Sequence, residues 1–126
     1  MKKFMFLVIS ALLSLNAQAG SEFKDFTISN KTHYTLSHRV NGECSKILGV
    51  TVPQQIKVIS SENLFRSCKY THYCDIKTYI EPNCKGKSLG AFLFLNAHEF
   101  IVNGGDSVNK MSIRGTIDSL TFEESN

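Results

Sequence analysis

The alternation of apolar and polar positions is clearest in residues 74–95. In Cys74–Ile80 every second residue lies on one face, and a period of two predicts a strand with one buried face. Glu81–Lys87 follows and contains a proline, an asparagine and a glycine, which are typical of turns. The second limb is apolar on both faces, and one of these carries Phe92 and Phe94. We therefore predict a hairpin at the centre of the core, with its second strand covered on both faces and both rings buried.

Shorter segments of the same character occupy most of the remaining chain. Asn41-Gly42 is the strongest short hairpin signal, because both residues readily take positive φ. Ser61–Arg66 is the one place where a helical turn is expected, and Gly115 is expected to end the strand before it. The pattern predicts an all-β, single-domain antiparallel β-sandwich with a Greek-key-like arrangement, or a small barrel. The further predicted strands are Glu22–Asn30, Thr32–Val40, Ile47–Val52, Gln55–Ser60, Glu99–Asn103, Lys110–Arg114 and Ile117–Glu123.

Residues 1–19 have the three parts of a secretory signal peptide. Lys2 and Lys3 are followed by a short apolar run, and Ala17-Gln18-Ala19 closes it with small residues. The apolar run is shorter than the ~20 residues that span a bilayer, so we predict cleavage after Ala19 and a domain at 20–126. The expected location is the periplasm or the extracellular space of a bacterium, without a membrane span in the mature protein. In that setting Asn30-Lys31-Thr32, a formal glycosylation sequon, is interpreted as a plain turn.

The charge of the mature chain does not favour nucleic acid or an anionic membrane as a partner. The full sequence has 14 basic and 11 acidic residues, and cleavage would remove Lys2 and Lys3. The working protein would then be nearly neutral, and its sequence contains no cluster of lysine and arginine. This gives no electrostatic reason to expect nucleic acid or an anionic membrane as a partner.

Four cysteines in an exported chain predict two disulfides. A zinc site is the alternative, but there is no Cys-x-x-Cys pair. A bond between Cys74 and Cys84 is disfavoured, because four residues can scarcely reverse the ~20 Å that the extended strand spans at ~3.3 Å per residue. We predict Cys68–Cys74, which closes a small loop, and Cys44–Cys84, which joins distant segments.

Histidines are the side chains most suited to acid–base chemistry near neutral pH. His38 shares a face with apolar residues and is interpreted as a core residue. His33 would face solvent on the same side as Arg39, and with a loop acid it could act as in a secreted ribonuclease. His72 and His98 complete the set. The chain has no nucleophile elbow, phosphate loop or paired carboxylates, so a small secreted hydrolase is only an alternative.

One hairpin resembles a known family. In Tyr79-Ile-Glu-Pro-Asn-Cys-Lys-Gly86 an aromatic residue precedes a glycine by seven positions, which is similar to the folded hairpin of βγ-crystallin Greek keys. That resemblance implies a Greek-key fold in which the ring packs on the glycine, and it suggests a calcium-binding domain as a second alternative. Asn103–Val108 departs from the family's calcium signature, so no calcium site is carried over. The chain also resembles small, exported, four-cysteine bacterial proteins with an Asn-Cys-x-Gly hairpin, a class that implies no mechanism.

Loops are the expected binding surface, because the sheet faces of so small a domain are needed for its core. Lys69–Tyr73 offers aromatic rings with polar ends, which bind at little entropic cost. The tip of the 74–95 hairpin offers lysines on a segment that a disulfide would hold rigid. The sequence therefore predicts an exported binding or interaction module for an unidentified extracytoplasmic ligand or protein, without a cofactor. The candidate binding residues are Tyr70, His72, Tyr73, Lys85 and Lys87.

Overall fold

A computed structural model describes residues 23–96, 98–104 and 111–124. The predicted signal peptide lies outside this part of the chain, as does most of the expected turn after Asn103. The described residues form ten strands and one helix, which begins after Ser60. In chain order the elements are β1 (Phe26–Asn30), β2 (Leu36–Val40), β3 (Glu43–Cys44), β4 (Val50–Thr51), β5 (Ile56–Ile59), α1 (Ser61–Ser67), β6 (Cys74–Tyr79), β7 (Ser88–Phe94), β8 (Phe100–Gly104), β9 (Met111–Thr116) and β10 (Ser119–Glu124).

The strands form two sheets that pack together as a sandwich, which confirms the predicted fold class. One sheet has the order β5-β1-β10-β9. The other has the order β3-β2-β6-β7-β8, and β4 also pairs with β2. All the described strand pairs are antiparallel except β1 with β10, which are parallel. The first and last described strands therefore lie side by side in the four-stranded sheet.

The core lies between the sheets and is rich in phenylalanine. Phe92 and Phe94 on β7 are fully buried, as predicted, and their rings meet Phe26 on β1 at centroid distances of 5.3 and 5.5 Å. Phe23 extends this cluster and meets Phe94 at 5.0 Å. Burying a side chain of this size contributes about 1.5–3 kcal/mol to folding. The apolar face of β7 that carries Phe92 and Phe94 therefore joins the two sheets.

The other face of β7 is less covered than the sequence suggested. Ala91 and Leu93 are half-buried, and Leu95, just beyond the strand, is exposed. The prediction that both faces are fully covered is wrong because a two-layer sandwich offers each sheet only one core face. The predicted interior position of β7 in its sheet is confirmed, because β6 and β8 pair with it on either side.

Gly115 lies inside β9 and does not end it. A Cβ atom at this position would stand 2.7 Å from Cε2 of Phe92 and 2.8 Å from Cγ2 of Val102. Such distances are shorter than van der Waals contact, so glycine is required here for close packing of β9 against β7 and β8. The expected break is therefore wrong: the glycine serves the approach of two strands.

Asn30 determines where β1 ends and why β2 begins late. Its buried side-chain amide donates to the carbonyl oxygens of Tyr34 (2.7 Å), Thr51 (3.0 Å) and Val52 (3.1 Å). Its Oδ1 accepts from both the backbone NH and the hydroxyl of Thr32. These bonds hold residues 31–35 as a turn, so the predicted strand from Thr32 is shortened to Leu36–Val40. Asn30, the asparagine of the formal glycosylation sequon, therefore organises this turn, and it is only 1% exposed.

In the edge strand β5 two aliphatic residues face solvent and a lysine faces inward, which is the reverse of what hydrophobicity predicts. Ile56 and Val58 are 70% and 63% exposed, whereas Lys57 points inward and its Nζ donates to the backbone oxygen of Leu48. Ile59 is the buried aliphatic residue of the strand. An inward-facing charge at a sheet edge discourages pairing with other chains. The predicted strand Ile47–Val52 is also reduced, to Val50–Thr51.

Candidate functional site

The candidate site is a concavity of about 300 Å³ at the junction of β3, the turn that follows it, and the end of α1. Its volume is at the small end of the range for small-molecule sites. One wall comes from β3 and the turn, and the other comes from the last residues of α1 and the residue after its cap. The lining residues are Val40, Glu43, Cys44, Ser45, Lys46, Ile47, Arg66, Ser67 and Lys69.

Both predicted disulfides form, and they fix the two walls. Cys44, which lines the concavity, is bonded to the buried Cys84, and their Cα atoms are 5.8 Å apart. Cys68, which lies between two lining residues, is bonded to Cys74 at the start of β6, with a Cα–Cα distance of 5.3 Å. Each wall is therefore covalently attached to the β6–β7 hairpin. A site held in this way loses little conformational entropy when a ligand binds.

Local hydrogen bonds shape the first wall. Asn41 and Gly42 adopt positive φ, as predicted, and turn the chain from β2 into β3. After β3, Ser45 organises the turn: its hydroxyl accepts from the NH of Leu48 at 3.0 Å, and its carbonyl accepts from the NH of Gly49. Leu48 is buried beneath the turn. This anchoring directs the neighbouring Lys46 and Ile47 toward the concavity.

The second wall is the end of α1, the predicted helical turn. The hydroxyl of Ser60 caps the helix by accepting from the NH of Asn63 at 3.1 Å, and Leu64 anchors it in the core. Beyond the helix, Lys69 and Tyr70 have φ values of 56° and 62°. Two successive non-glycine residues in this left-handed region are unusual and reverse the chain sharply. The reversal brings Lys69 back beside Arg66 at the rim of the concavity.

Positive charge predominates in the lining. Lys46, Arg66 and Lys69 are cationic, whereas Glu43 is the one carboxylate among the lining residues. The Nζ atom of Lys69 lies 3.0 Å from Oε1 of Glu43, and Arg66 lies 3.6 Å from the highly exposed Glu62. Lys46 has no carboxylate within 4.0 Å in the described part of the chain. The lining therefore carries an excess of two positive charges.

The predicted loop Lys69–Tyr73 borders this concavity, but its aromatic residues have different environments. Tyr70 and Tyr73 are 67% and 55% exposed. His72 is half-buried, and its ring packs against Phe23 at 5.6 Å and Phe65 at 5.4 Å. The two tyrosines are therefore accessible in the loop that contributes Lys69 to the lining, although the ring of Tyr70 also meets Phe65 at 5.6 Å, whereas His72 belongs to the aromatic packing around Phe23 and Phe65.

Lys85 and Lys87 lie elsewhere. Both are exposed on the β6–β7 hairpin tip, and Cys84 anchors that tip beneath them. The Lys69–Tyr73 loop precedes β6 and the tip follows it, but the tip folds back over β2: the backbone NH of Cys84 donates to the hydroxyl of Ser37, and Cys84 is bonded to Cys44, with a Cα–Cα distance of 5.8 Å. The predicted binding residues therefore belong to two segments, the loop that contributes Lys69 to the lining and the tip that is bonded to the lining residue Cys44.

Sequence reasoning missed Lys46, Ile47 and Arg66 as site residues. The sequence pattern predicts Ile47 in a strand and Arg66 in an isolated helical turn. A signal was nevertheless present: Lys46 and Arg66 each lie two residues from a cysteine, and Lys69 lies next to one. Because cysteines are fixed in position by disulfides, cations that flank them are held at defined places.

His33 has an acidic partner, but a different one from that expected. Its Nδ1 lies 2.5 Å from Oε1 of Glu124, and the same oxygen accepts from its backbone NH at 2.8 Å. The ring packs on Tyr34 at 4.1 Å. Arg39 instead donates to the carbonyls of Cys84 and Gly42. The expected alternation did not apply to His33, because that residue precedes β2.

His38 is a core residue, as predicted. It is fully buried, with Nδ1 2.9 Å from the hydroxyl of Thr78 and Nε2 3.0 Å from the hydroxyl of Thr51. Burial, with a smaller contribution from the charge of Lys57, lowers the pKa of His38 from 6.5 to about 4. The imidazole is therefore neutral at pH 7, and each ring nitrogen is satisfied by a threonine.

The described contacts support neither the likeness to the crystallin hairpin nor a calcium site. Tyr79 packs under the guanidinium of Arg39, 5.8 Å from the ring centroid, and the atoms nearest a Cβ at Gly86 belong to Glu81. Within residues 23–96, 98–104 and 111–124, no three His, Cys, Asp or Glu side chains are grouped for a metal. No helix in the same ranges is sufficiently long and apolar to cross a membrane.

Comparison with models of protein families, with curated proteins and with solved structures finds no match to this chain. Its function must therefore be inferred from its own residues.

Proposed function

We propose that the protein is an exported binding module that takes a small ligand, or one end of a larger ligand, into the concavity between β3 and α1. The observation that carries this proposal is the attachment of both walls to the β6–β7 hairpin by disulfides. The two disulfides also fit an extracytoplasmic location. Tyr70 and Tyr73 extend the binding surface beyond the rim, where exposed tyrosines provide contact area at low entropic cost.

Binding suits the lining better than catalysis. The hydroxyl of Ser45 accepts from the NH of Leu48, and the hydroxyl of Ser67 donates to the carbonyl of Leu64. The carboxylate of Glu43 is paired with Lys69. No histidine lines the concavity, and the cysteines there are oxidised. The groups that catalyse acyl or phosphoryl transfer as nucleophile or base are thus absent from the lining or already engaged.

The proposal is tested by screening ligands against the oxidised mature protein, residues 20–126, with two-dimensional NMR of the ¹⁵N-labelled chain. Ligands of the module should shift the backbone signals of Glu43–Ile47 and Arg66–Tyr73. The double variant Tyr70→Ala/Tyr73→Ala should weaken those shifts while the melting temperature stays close to that of the parent protein. The matched control is Lys31→Ala, which changes an exposed side chain after β1 in the other sheet and should bind normally.

Shifts confined to the β6–β7 tip would move the binding function to Lys85 and Lys87. Failure of every ligand in the screen to shift either wall would reject the proposed site. His72 is left unchanged in the double variant, because loss of its contacts with Phe23 and Phe65 would lower stability for reasons unrelated to binding.

A small secreted hydrolase of the ribonuclease kind is the second candidate. The contact that favours it is the one between Nδ1 of His33 and Oε1 of Glu124, because a carboxylate at Nδ1 orients the imidazole and leaves Nε2 for proton transfer. Cleavage of single-stranded RNA by the purified protein, lost in both His33→Ala and Glu124→Gln, would support this function. Absence of cleavage by the parent protein, or cleavage by both variants at the rate of the parent protein, would exclude this dyad.

A further inference from the structure

We propose that the ligand of the β3–α1 concavity is an anionic amphiphile: a phosphate ester, sulfate ester or carboxylate joined directly to a small apolar group. This inference deepens the proposed function and depends on it, because it specifies the ligand class for the same concavity. Three observations lead to it: the cations of the lining, the apolar residues that share the lining with them, and the volume.

Cations come from both walls, and two of them lack a close carboxylate partner. Lys46 comes from the turn after β3, whereas Arg66 and Lys69 come from the end of α1. Glu43 neutralises Lys69, so the excess charge belongs to Lys46 and Arg66. Glu62, the partner of Arg66, is distant at 3.6 Å and highly exposed, so the pairing is weak and is easily replaced. An anion that bridges the two walls would gain charge-assisted hydrogen bonds from both.

The lining also contains apolar residues beside the cations. Val40 is buried at the base, Ile47 is 36% exposed, and Cys44 contributes its disulfide. The exposed part of Ile47 remains in contact with water in the free protein, and a ligand with a short apolar group would cover it. A fully hydrated inorganic anion would satisfy the cations but leave this surface uncovered, so it should bind less tightly than an amphiphile.

The volume limits the size of the group that enters. About 300 Å³ accommodates a charged group with a short chain or a single ring. The ligand can be a free metabolite-sized anion, or it can be the terminal group of a larger acidic molecule whose remainder passes Tyr70 and Tyr73. Both sources present the same chemistry to the concavity.

The test compares three probes on the oxidised mature protein by ¹⁵N NMR titration: phenyl phosphate, inorganic phosphate and benzyl alcohol. Phenyl phosphate should bind about tenfold more tightly than either of the others, which is the effect of one additional charge-assisted or apolar contact. Its affinity should fall as salt is raised from about 20 to about 200 mM, because the screening length shortens about threefold. A chain-linked probe, a peptide ending in a phosphorylated residue, distinguishes a terminal group from a free anion by additional shifts at Tyr70 and Tyr73.

Variants separate the charge contribution from folding. Lys46→Gln and Arg66→Gln should each weaken phenyl phosphate binding about tenfold, with little effect on benzyl alcohol. Both side chains are exposed, so melting temperatures should stay near that of the parent protein. Lys31→Gln is the matched control, since it removes an exposed lysine that follows β1 in the other sheet, and it should leave binding unchanged.

Several outcomes overturn the inference. Equal affinity for phenyl phosphate and benzyl alcohol would reject the anionic group, and equal affinity for phenyl phosphate and inorganic phosphate would reject the apolar one. Normal binding by both Lys46→Gln and Arg66→Gln would remove the assigned contacts. If a neutral ligand from the screen shifts both walls while all three probes fail, the inference is wrong and the binding module stands. If nothing shifts the walls, both are wrong.

Discussion

The two sheets are stabilised in different ways. All four cysteines belong to the six-stranded sheet or to segments attached to it, and the disulfides connect β3 and the end of α1 to the β6–β7 hairpin. The four-stranded sheet contains no cysteine and depends on buried residues such as Phe26, Leu120 and Phe122. Covalent bonds are thus concentrated where the chain forms the concavity. The four-stranded sheet contains no disulfide and is held by noncovalent contacts.

The largest expected effect comes from the packing that both sheets share. Phe92→Ala in the six-stranded sheet and Phe122→Ala in the four-stranded sheet should each cost about 3–5 kcal/mol in the free energy of unfolding, because both rings are fully buried. Phe100→Ala is the control: its ring stacks on Phe92 at 5.3 Å but is 36% exposed, so it should cost clearly less. Urea unfolding monitored by circular dichroism measures all three. Equal losses at Phe92 and Phe100 would contradict the assigned core.

The disulfides should differ from one another. Cys44–Cys84 joins residues 40 apart and Cys68–Cys74 joins residues six apart. On loop-closure entropy alone, replacing both cysteines of a pair by alanine should cost about 4 kcal/mol for the first bond and about 2 kcal/mol for the second. Urea unfolding of each double variant gives these values. Hydrogen exchange can then locate the damage: we expect lost protection at β3 and the β6–β7 tip, and retained protection in β1 and β10.

Exchange that rises equally in both sheets would show that the disulfides stabilise the whole domain and would remove the contrast between the sheets. Thiol titration of the denatured, unreduced parent protein supplies the starting point and should find no free thiol.

Acid should weaken the contact between the sheets. The pKa of His38 in the folded protein, about 4, is below its ordinary value of 6.5. Its contribution to stability is therefore complete above pH 6.5, declines as the pH falls from 6.5 to 4, and reaches a loss of about 3 kcal/mol. Because the ring lies 6.1 Å from that of Phe122, protonation disturbs the interface between the sheets.

Unfolding measured at several pH values tests this. His38→Gln should be less stable at pH 7 but should lose much of the dependence between pH 6.5 and 4. His33→Gln, which changes an exposed histidine, should retain that dependence. An unchanged slope in His38→Gln would contradict the assignment.

The smallest of these effects concerns Gly115. Gly115→Ala should cost about 1–3 kcal/mol, since the added methyl group would overlap Phe92 and Val102. Combining it with Val102→Ala should cost less than the sum of the two single changes, because the second change removes part of the obstruction. A double-mutant cycle from thermal unfolding gives the coupling. Strict additivity would show that β9 shifts away from β8 instead of packing against it.

Local patterns predicted the parts of the fold that local chemistry determines. The alternation of residues 74–80 predicted β6, Asn41-Gly42 predicted the β2–β3 turn, and the reach of an extended chain excluded one of the three possible disulfide pairings. The parallel pairing of β1 with β10 could not be predicted, because alternation identifies a strand but not its neighbour. The length of β2 was missed because the side chain of Asn30 competes for the backbone groups that a longer strand would use.

The candidate site was predicted in part for a similar reason. Tyr70 and Tyr73 were proposed because aromatic rings with polar ends bind at little entropic cost, and the structure leaves both exposed. Lys46 and Arg66 are 20 residues apart, and only the folding of β3 against α1 places them around one concavity. The nearby cysteines indicate that each of these cations is held at a defined place, but not that the two cations share one concavity.

The buried amide of Asn30 has a practical consequence for producing the protein. Its three donor contacts and two acceptor contacts leave no room for a sugar, yet residues 30–32 satisfy the acceptor rule of eukaryotic N-glycosylation. A secretory host that attaches glycans before folding would modify this nitrogen while it is still accessible. The modified chain could not rebuild the turn between β1 and β2. Expression in a eukaryotic secretory pathway should therefore yield misfolded glycoprotein, whereas a bacterial periplasm supplies the disulfides without that modification.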